Sequence, residues 1–411
     1  MITIGQYTKT FYEFFAGIGL VRLGLEADGW KCLWANDVSE SKLDFYERNF
    51  GKEETQLADI WHLKSSELPE AAFMATASFP CTDLSVAGYR KGLRGSESST
   101  FFAFERLLRE LDSDSRGPQV VLIENVPGLL TSHSGRDIDA VLAALDALGY
   151  SLDMILLDAA RFVPQSRLRL FVVGVKHELA RQVATCRSEA ALLDEWASVV
   201  SGVPSVRPKS VLEVAERNAQ LTWCAFELPH PPELQATLSD VLERIPDSSP
   251  LWWSSAKTSK LCNQMSERHS TILKGLMLRN TYYYGTVYRR MRKGSSMAEL
   301  RTDGIAGCLR TPRGGSSKQI LVRAGLGKVS ARWLTPREYA RLQGVPDAFH
   351  LPANTTDALF GLGDAVCVPA ITWISRNILT KCHSALLREM ADAGFPVTQT
   401  PVRVASQAPK M

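Results

Sequence analysis

The chain has 411 residues, of which 45% are hydrophobic and 22% charged, with a formal net charge of +3. That length predicts two or three domains, and the composition is that of a globular protein rather than a disordered or low-complexity one. No run of eighteen apolar residues occurs and the start, Met1 to Lys9, is polar, so neither a membrane span nor a secretory leader is expected.

Residues 10–16 read as a buried strand that meets the turn Gly17-Ile18-Gly19, followed by an amphipathic helix to about Asp28. A strand over 31–36 ends at Asp37, and a helix runs through Asp44 to Asn49. Further strands cover 73–79, stopped by Pro80, and 119–125, stopped by Pro127. A helix from about Asp137 to Leu148 ends at Gly149. Strands 152–158 and 168–175 follow with only a short loop between them, which leaves room for antiparallel pairing at one edge. Strands alternating with helices at this spacing predict an α/β, doubly wound, mostly parallel sheet.

Regularity is lost from about Lys176 to Arg301, where Pro204, Pro208, Pro229, Trp252 and Trp253 occur. This stretch reads as a second, smaller domain of irregular and β structure. Thr335, Pro336 and Glu338 then supply the N-cap, N1 and N3 residues of a capping box. An apolar helix is expected over 366–380, and a disordered tail after Pro396. The expected organisation is 1–177, 178–345, 346–395 returning to the first domain, and a tail over 396–411.

The eight cysteines are scattered without a C-x-x-C pair, so no metal is expected and reduced thiols in the cytoplasm fit better than a disulfide framework. Charge is distributed unevenly. Between Arg268 and Arg337 there are fifteen basic residues and two acidic ones, so the rest of the chain is net acidic. An excess of that size over seventy residues points to a polyanion partner.

Four places along the chain carry chemistry. Phe15 to Gly19 joins a strand to a helix where glycines let a ligand approach the backbone, and Asp37 ends the next strand, where a ribose-binding carboxylate belongs. The turn lacks the full G-x-G-x-x-G because position 22 is Arg, which argues for a nucleoside ligand other than NAD. Cys81 follows Pro80 at the carboxyl end of a strand, in polar company: Ser78, Thr82, Asp83 and Ser85. Most cysteines are small buried hydrophobes, and this setting weighs against that. Glu124 ends the buried run Val120 to Ile123, and Arg167 and Arg169 share one face of a strand by alternation.

In this order and spacing the segments resemble the C5-cytosine DNA methyltransferase family. The matching residues are Phe15 to Gly19, Asp37, Asp59-Ile60, Phe79-Pro80-Cys81 with Ser85 and Gly88, Glu124-Asn125-Val126, Gln165 with Arg167 and Arg169, Leu334 to Glu338, and Gly363 to Val366. The match covers about residues 10–177 and 305–382. It implies a Rossmann-like S-adenosylmethionine-dependent fold and a target-recognition domain in the intervening segment. Cys81 is then the nucleophile that adds to cytosine C6, Glu124 the partner of N3, Arg169 the partner of O2, and Arg167 a holder of the catalytic loop or a phosphate. The base is flipped out of duplex DNA.

For S-adenosylmethionine the resemblance implies Phe15 on the adenine, Gly17 and Gly19 beside the methionine part, Asp37 on the ribose and Asp59-Ile60 at the adenine edge. Val38, Pro80 and Asp364 complete the set. Val38 stands where an aromatic often follows the ribose carboxylate, and Asp364 where the motif usually has Asn. Ser85, Arg289, Arg290, Arg292, Lys293, Arg310, Arg313 and Lys318 are the expected DNA contacts. The expected partners are duplex DNA and a cognate restriction endonuclease or phage-defence proteins, with a monomer acting and no membrane involved. Alternatives are an RNA cytosine methyltransferase, a silent DNA-binding homologue, and a small-molecule methyltransferase. The last has no use for the basic segment.

Overall fold

A computed structural model describes residues 8–80, 99–186, 193–292, 294–312 and 318–393. Cys81, Ser85, Lys293, Arg313 and the expected tail lie outside the described residues. The first unit runs β1 (Thr10–Phe14), α1 (Leu20–Glu26), β2 (Lys31–Asp37), α2 (Glu40–Phe50), β3 (Thr55–Leu57) and β4 (Met74–Ala77). It continues with α3 (Thr100–Ser113), β5 (Val120–Asn125), α4 (Arg136–Ala147), β6 (Tyr150–Asp158) and β7 (Leu168–Lys176). These strands form one sheet in the order β3-β2-β1-β4-β5-β7-β6. The first five are parallel, and β7 runs antiparallel between β5 and β6.

Alternation along each strand divides the side chains between two cores. Phe11, Met74, Val120 and Leu122 face one side with Leu20 and Leu25 of α1 and Tyr46 of α2. Tyr12, Phe14, Ala75, Val121 and Ile123 face the other with α3 and α4. Burial on both faces is why the strands read as near-continuous apolar runs, and each fully buried Leu or Phe contributes about 1.5–3 kcal/mol. The helix α3 is absent from the sequence reading, although Phe101, Phe104, Leu107, Leu108 and Leu111 keep helical spacing on its buried face.

Next come α5 (His177–Val183), β8 (Thr185–Cys186), α6 (Leu193–Ser201), α7 (Lys209–Arg217), β9 (Cys224–Ala225) and α8 (Leu238–Val241). Packing against the large sheet continues through this stretch: Val206 and Phe226 join one of its cores, Val211 and Trp223 the other. The buried Arg207 donates through Nε to Oδ1 of Asp153 on β6 at 3.0 Å. A separate core is built by α9 (Ser255–Cys262), α10 (Glu267–Met277) and the strands β10 (Tyr283–Arg292), β11 (Ser295–Arg301), β12 (Ile320–Gly325) and β13 (Lys328–Trp333). These strands form an antiparallel sheet ordered β11-β10-β12-β13. The stretch expected to be irregular and β thus also carries helices, each short and closely flanked by loops, so its periodicity is hard to read.

The chain returns through α11 (Pro336–Leu342), α12 (Thr355–Asp364), α13 (Val368–Ile374) and α14 (Thr380–Asp392). The expected capping box forms: Thr335 Oγ1 accepts from Glu338 N at 3.2 Å, and the Glu338 carboxylate accepts from Thr335 N at 2.9 Å. The run from Thr355 to Asp392 is long and apolar enough to cross a membrane by composition, but 67% of its apolar window is buried inside the fold, as in a core helix. It is sewn to the start of the chain. Thr372 donates to Gly24 O at 2.9 Å, Trp30 Nε1 to Ser375 Oγ at 2.8 Å, and Ser375 and Thr380 both donate to Asp28.

Candidate active site

The strand order reverses between β1 and β4, and a crevice opens there at the carboxyl ends of the parallel strands. The turn after β1 enters it with Phe15 at φ 56°, Gly17 at 59° and Gly19 at 79°. A Cβ on Gly17 would meet nothing within 4 Å, so this backbone borders open space. At Gly19 a Cβ would fall 2.4 Å from the Phe50 ring, so that residue has no room to be larger. Asp37, at the end of β2, accepts from Gly17 N at 2.9 Å and from Ser39 N at 2.8 Å, and it thereby fixes the turn after β1. Val38 beside it is 71% exposed. Asp59 caps the next turn, accepting from Trp61 N at 3.0 Å, while Ile60 is buried in the core beneath.

Glu13, Phe15, Gly17, Lys42, Ser78 and Asp364 are among the residues lining this part of the crevice. Arg22, which breaks the glycine pattern, is buried here, and its guanidinium lies 4.6 Å from the Phe50 ring. Glu13 accepts from Arg22 N at 3.1 Å and from the Tyr46 hydroxyl at 3.0 Å. Burial pushes its carboxyl up to about 7, against the pull of those two bonds. Between pH 4.5, its ordinary value, and about 7 the folded chain therefore keeps a proton that the unfolded chain has released. That contribution to stability is full at low pH and lost as pH rises through the window. Glu13→Gln stays neutral throughout. Its thermal midpoint relative to the natural chain is expected to rise from about pH 5 to about pH 8, read by calorimetry. A difference that does not change with pH would count against the assignment.

At the end of β5 a carboxylate meets a guanidinium. Because β7 is antiparallel to β5, its first residues arrive beside the end of β5, with Glu124 opposite Phe171 and Asn125 opposite Leu170. Arg169 Nε then lies 2.9 Å from Glu124 Oε1, both side chains mostly buried. Asn125 Nδ2 donates to Phe79 O at 3.3 Å, tying the strand end to the residue before Pro80. Arg167 points elsewhere. It is 2% exposed and donates to the carbonyls of Leu309 at 2.7 Å, Gly363 at 3.0 Å and Asp364 at 3.2 Å. Charge-assisted bonds of this kind contribute about 1.5–3 kcal/mol each, so Arg167 clasps three chain segments together.

Several site residues carry no role in the sequence reading. Gln165 donates to Leu342 O at 2.7 Å and accepts from Leu309 N at 3.1 Å, and Gln343 donates to Leu362 O at 2.8 Å and Ala365 O at 3.1 Å. Cys308 lies with its Sγ 3.6 Å from Arg167 Nη1. Burial alone would push its thiol up, but Arg167, Arg169 and Arg310 together bring it below the ordinary value. Every other described cysteine is shifted upward by burial. The isolated Cys308 carries no motif in the sequence. Only the fold brings three arginines to it.

The small sheet sorts the expected DNA contacts. Alternation places Arg290 and Arg292 on one face of β10, where both reach Glu299 on β11, at 2.9 and 3.5 Å. Arg289 points to the opposite face, 5.5 Å from the Trp333 ring. Arg310 is exposed and Lys318 half-buried. Two residues of the basic stretch are matched by acids that lie outside it: Arg323 pairs with Asp247 at 2.7 Å, and the buried Arg332 with Glu338. Arg323 is also held between the rings of Trp252 and Tyr282, at 4.3 and 4.4 Å.

A family model described as C-5 cytosine-specific DNA methylase matches residues 9–380. The chain is 27% identical to the Type II methyltransferase M.NlaX of Neisseria lactamica, over 89% of this chain and 95% of that protein. It is 26% identical to the Type II methyltransferase M.HhaI of Haemophilus parahaemolyticus, over 90% and 93%. Among solved structures, a DNA modification methyltransferase encoded within an E. coli prophage superposes with a TM-score of 0.54 at 18% identity, covering 90% of this chain and 98% of that one. The S. pombe Dnmt2 methyltransferase gives 0.53 at 18%, covering 93% and 99%. At such identities the structures speak to the shared fold.

Proposed function

The chain belongs to the C-5 cytosine-specific DNA methylase family, and on that premise we propose that it transfers a methyl group from S-adenosylmethionine to C5 of cytosine within a specific duplex DNA sequence. One observation carries the assignment of the site. Ser78 lines the crevice with Phe15, Gly17 and Asp364, and the carbonyl of the next residue, Phe79, accepts from Asn125, beside the Glu124–Arg169 pair.

The residues fit a nucleoside cofactor. Open space lies above Gly17, and the Asp37 carboxylate stands at the end of the neighbouring strand. Phe15, Gly17, Gly19, Asp37, Val38, Asp59, Ile60, Pro80 and Asp364 would hold it. When bound, S-adenosylmethionine supplies an electrophilic methyl group on a sulfonium. Cys81, as thiolate, adds to C6 of the flipped base, which makes C5 nucleophilic. Glu124 supports N3 as charge develops in the ring, and Arg169 holds both Glu124 and the O2 carbonyl. After transfer the C5 proton leaves and the Cys81–C6 bond breaks, restoring the aromatic ring. Arg167 is a positioning residue, because its bonds go to backbone carbonyls. Target recognition falls to the unit built on β10–β13, within the span 178–345. There Arg290, Arg292, Arg310 and Lys318 suit phosphates, and Tyr288, on the Arg290 face of β10 and 38% exposed, suits the groove. A monomer acting in the cytoplasm, alongside a restriction endonuclease or defence partner, completes the reading.

Base-resolution methylation sequencing of DNA from a methylation-free host tests this. Expression of the chain is expected to place 5-methylcytosine in one short sequence context that the empty-vector culture lacks. Unmethylated DNA together with methylated RNA would overturn it in favour of an RNA substrate.

A further inference from the structure

Two charged side chains meet at the mouth of the cofactor pocket. Lys42 Nζ lies 2.9 Å from Asp364 Oδ2, and both residues line the pocket with Phe15, Gly17 and Ser78. The two side chains keep 30% and 46% of their exposure, so the pair is half-open. Stability does not account for it. Ion pairs this exposed contribute about 0–1 kcal/mol. Lys42 sits in the first turn of α2 and Asp364 in the last turn of α12. Each is at the helix end whose dipole disfavours its charge. Charges placed against a local rule mark functional positions more often than structural ones. The Asp364 backbone is also fixed, because its carbonyl accepts from the buried Arg167 at 3.2 Å.

We propose that Lys42 and Asp364 form a charge clamp for the zwitterionic amino-acid end of S-adenosylmethionine, with Lys42 taking the α-carboxylate and Asp364 the α-ammonium. The proposal rests on the cofactor reading above. It explains why an acid is tolerated at a position where the motif usually has a neutral amide. A lone carboxylate at 364 would repel the cofactor's own carboxylate. With Lys42 beside it, the wall presents one charge of each sign to a ligand end that carries one of each, and the four charges alternate. Lys42 has no place in the motif set, and only the packing of α2 against α12 brings it to the pocket.

Calorimetric titration of the full chain with two ligands tests the clamp. S-adenosylhomocysteine keeps the amino-acid end, and 5′-methylthioadenosine lacks it. Lys42→Met and Asp364→Ala are each expected to weaken S-adenosylhomocysteine at least about tenfold, while 5′-methylthioadenosine stays within about twofold. Unchanged thermal midpoints are expected to accompany this, since the pair is half-exposed. Equal weakening of both ligands would mean that the pair only shapes the pocket, and unaltered S-adenosylhomocysteine binding would mean that it contacts nothing. Either result overturns the clamp while leaving the cofactor in place. Failure of the natural chain to bind either ligand would instead overturn the cofactor reading itself.

Discussion

Cys81→Ser is expected to lower the single-turnover rate of methyl transfer at least about 10³-fold, with binding of duplex DNA and S-adenosylhomocysteine near that of the natural chain. Addition to C6 needs a polarisable anion, and a serine hydroxyl is neither readily ionised nor as nucleophilic as a thiolate. Cys308 makes the control essential. Its thiol is held below the ordinary value by arginines and lies 3.6 Å from Arg167 Nη1. Alkylation of the natural chain would therefore not identify the nucleophile, whereas substitution does. DNA carrying 5-fluorocytosine in the target should trap a covalent complex, because fluorine cannot leave C5 as a proton does. The natural chain and Cys308→Ser should form it and Cys81→Ser should not. A complex that survives Cys81→Ser and disappears in Cys308→Ser would transfer the role to Cys308.

Glu124→Gln is expected to reduce kcat by about 10² to 10⁴ with a much smaller change in KM. The amide keeps the size of the side chain but gives Arg169 no counter-charge at the 2.9 Å contact. It also cannot deliver a proton to ring nitrogen as the transition state forms. Steady-state kinetics on a defined duplex separate the two constants. A rise in KM with kcat intact would show that Glu124 only binds the base and takes no part in the transition state.

The positions of the candidate residues were largely legible because they sit at strand ends, and strand ends announce themselves by a break in apolar character. Phe15 to Gly19, Asp37, Glu124 and the capping box around Thr335 follow from local pattern. What the pattern could not supply is direction and partnership. Arg289 and Arg290 are adjacent in the chain and point to opposite faces of β10, a distinction that exists only once a strand has been fixed. Arg167 and Arg169 share a face by alternation, yet one clasps carbonyls from residues 309, 363 and 364 and the other reaches Glu124. The basic segment looked more strongly charged than it is, because Asp247 and Glu338 lie outside it and return to Arg323 and Arg332 in space. Lys42, Gln343 and Cys308 were silent for the same reason: each gains its meaning from a residue far away in sequence.

The stitching of α13 and α14 onto Gly24, Asp28 and Trp30 has a consequence for how the protein comes to exist in a cell. Asp364 to Val366 wall the same pocket as Glu13 and Phe15, so a nascent chain that has exposed its first hundred residues holds only part of that pocket. At about 5–20 residues per second, the missing wall emerges roughly half a minute later, give or take a factor of two. Contacts spanning some 350 residues also place the closing step late and make it slow. An incomplete translation product therefore lacks one wall of the pocket, which closes only in chains whose synthesis has passed α13 and α14.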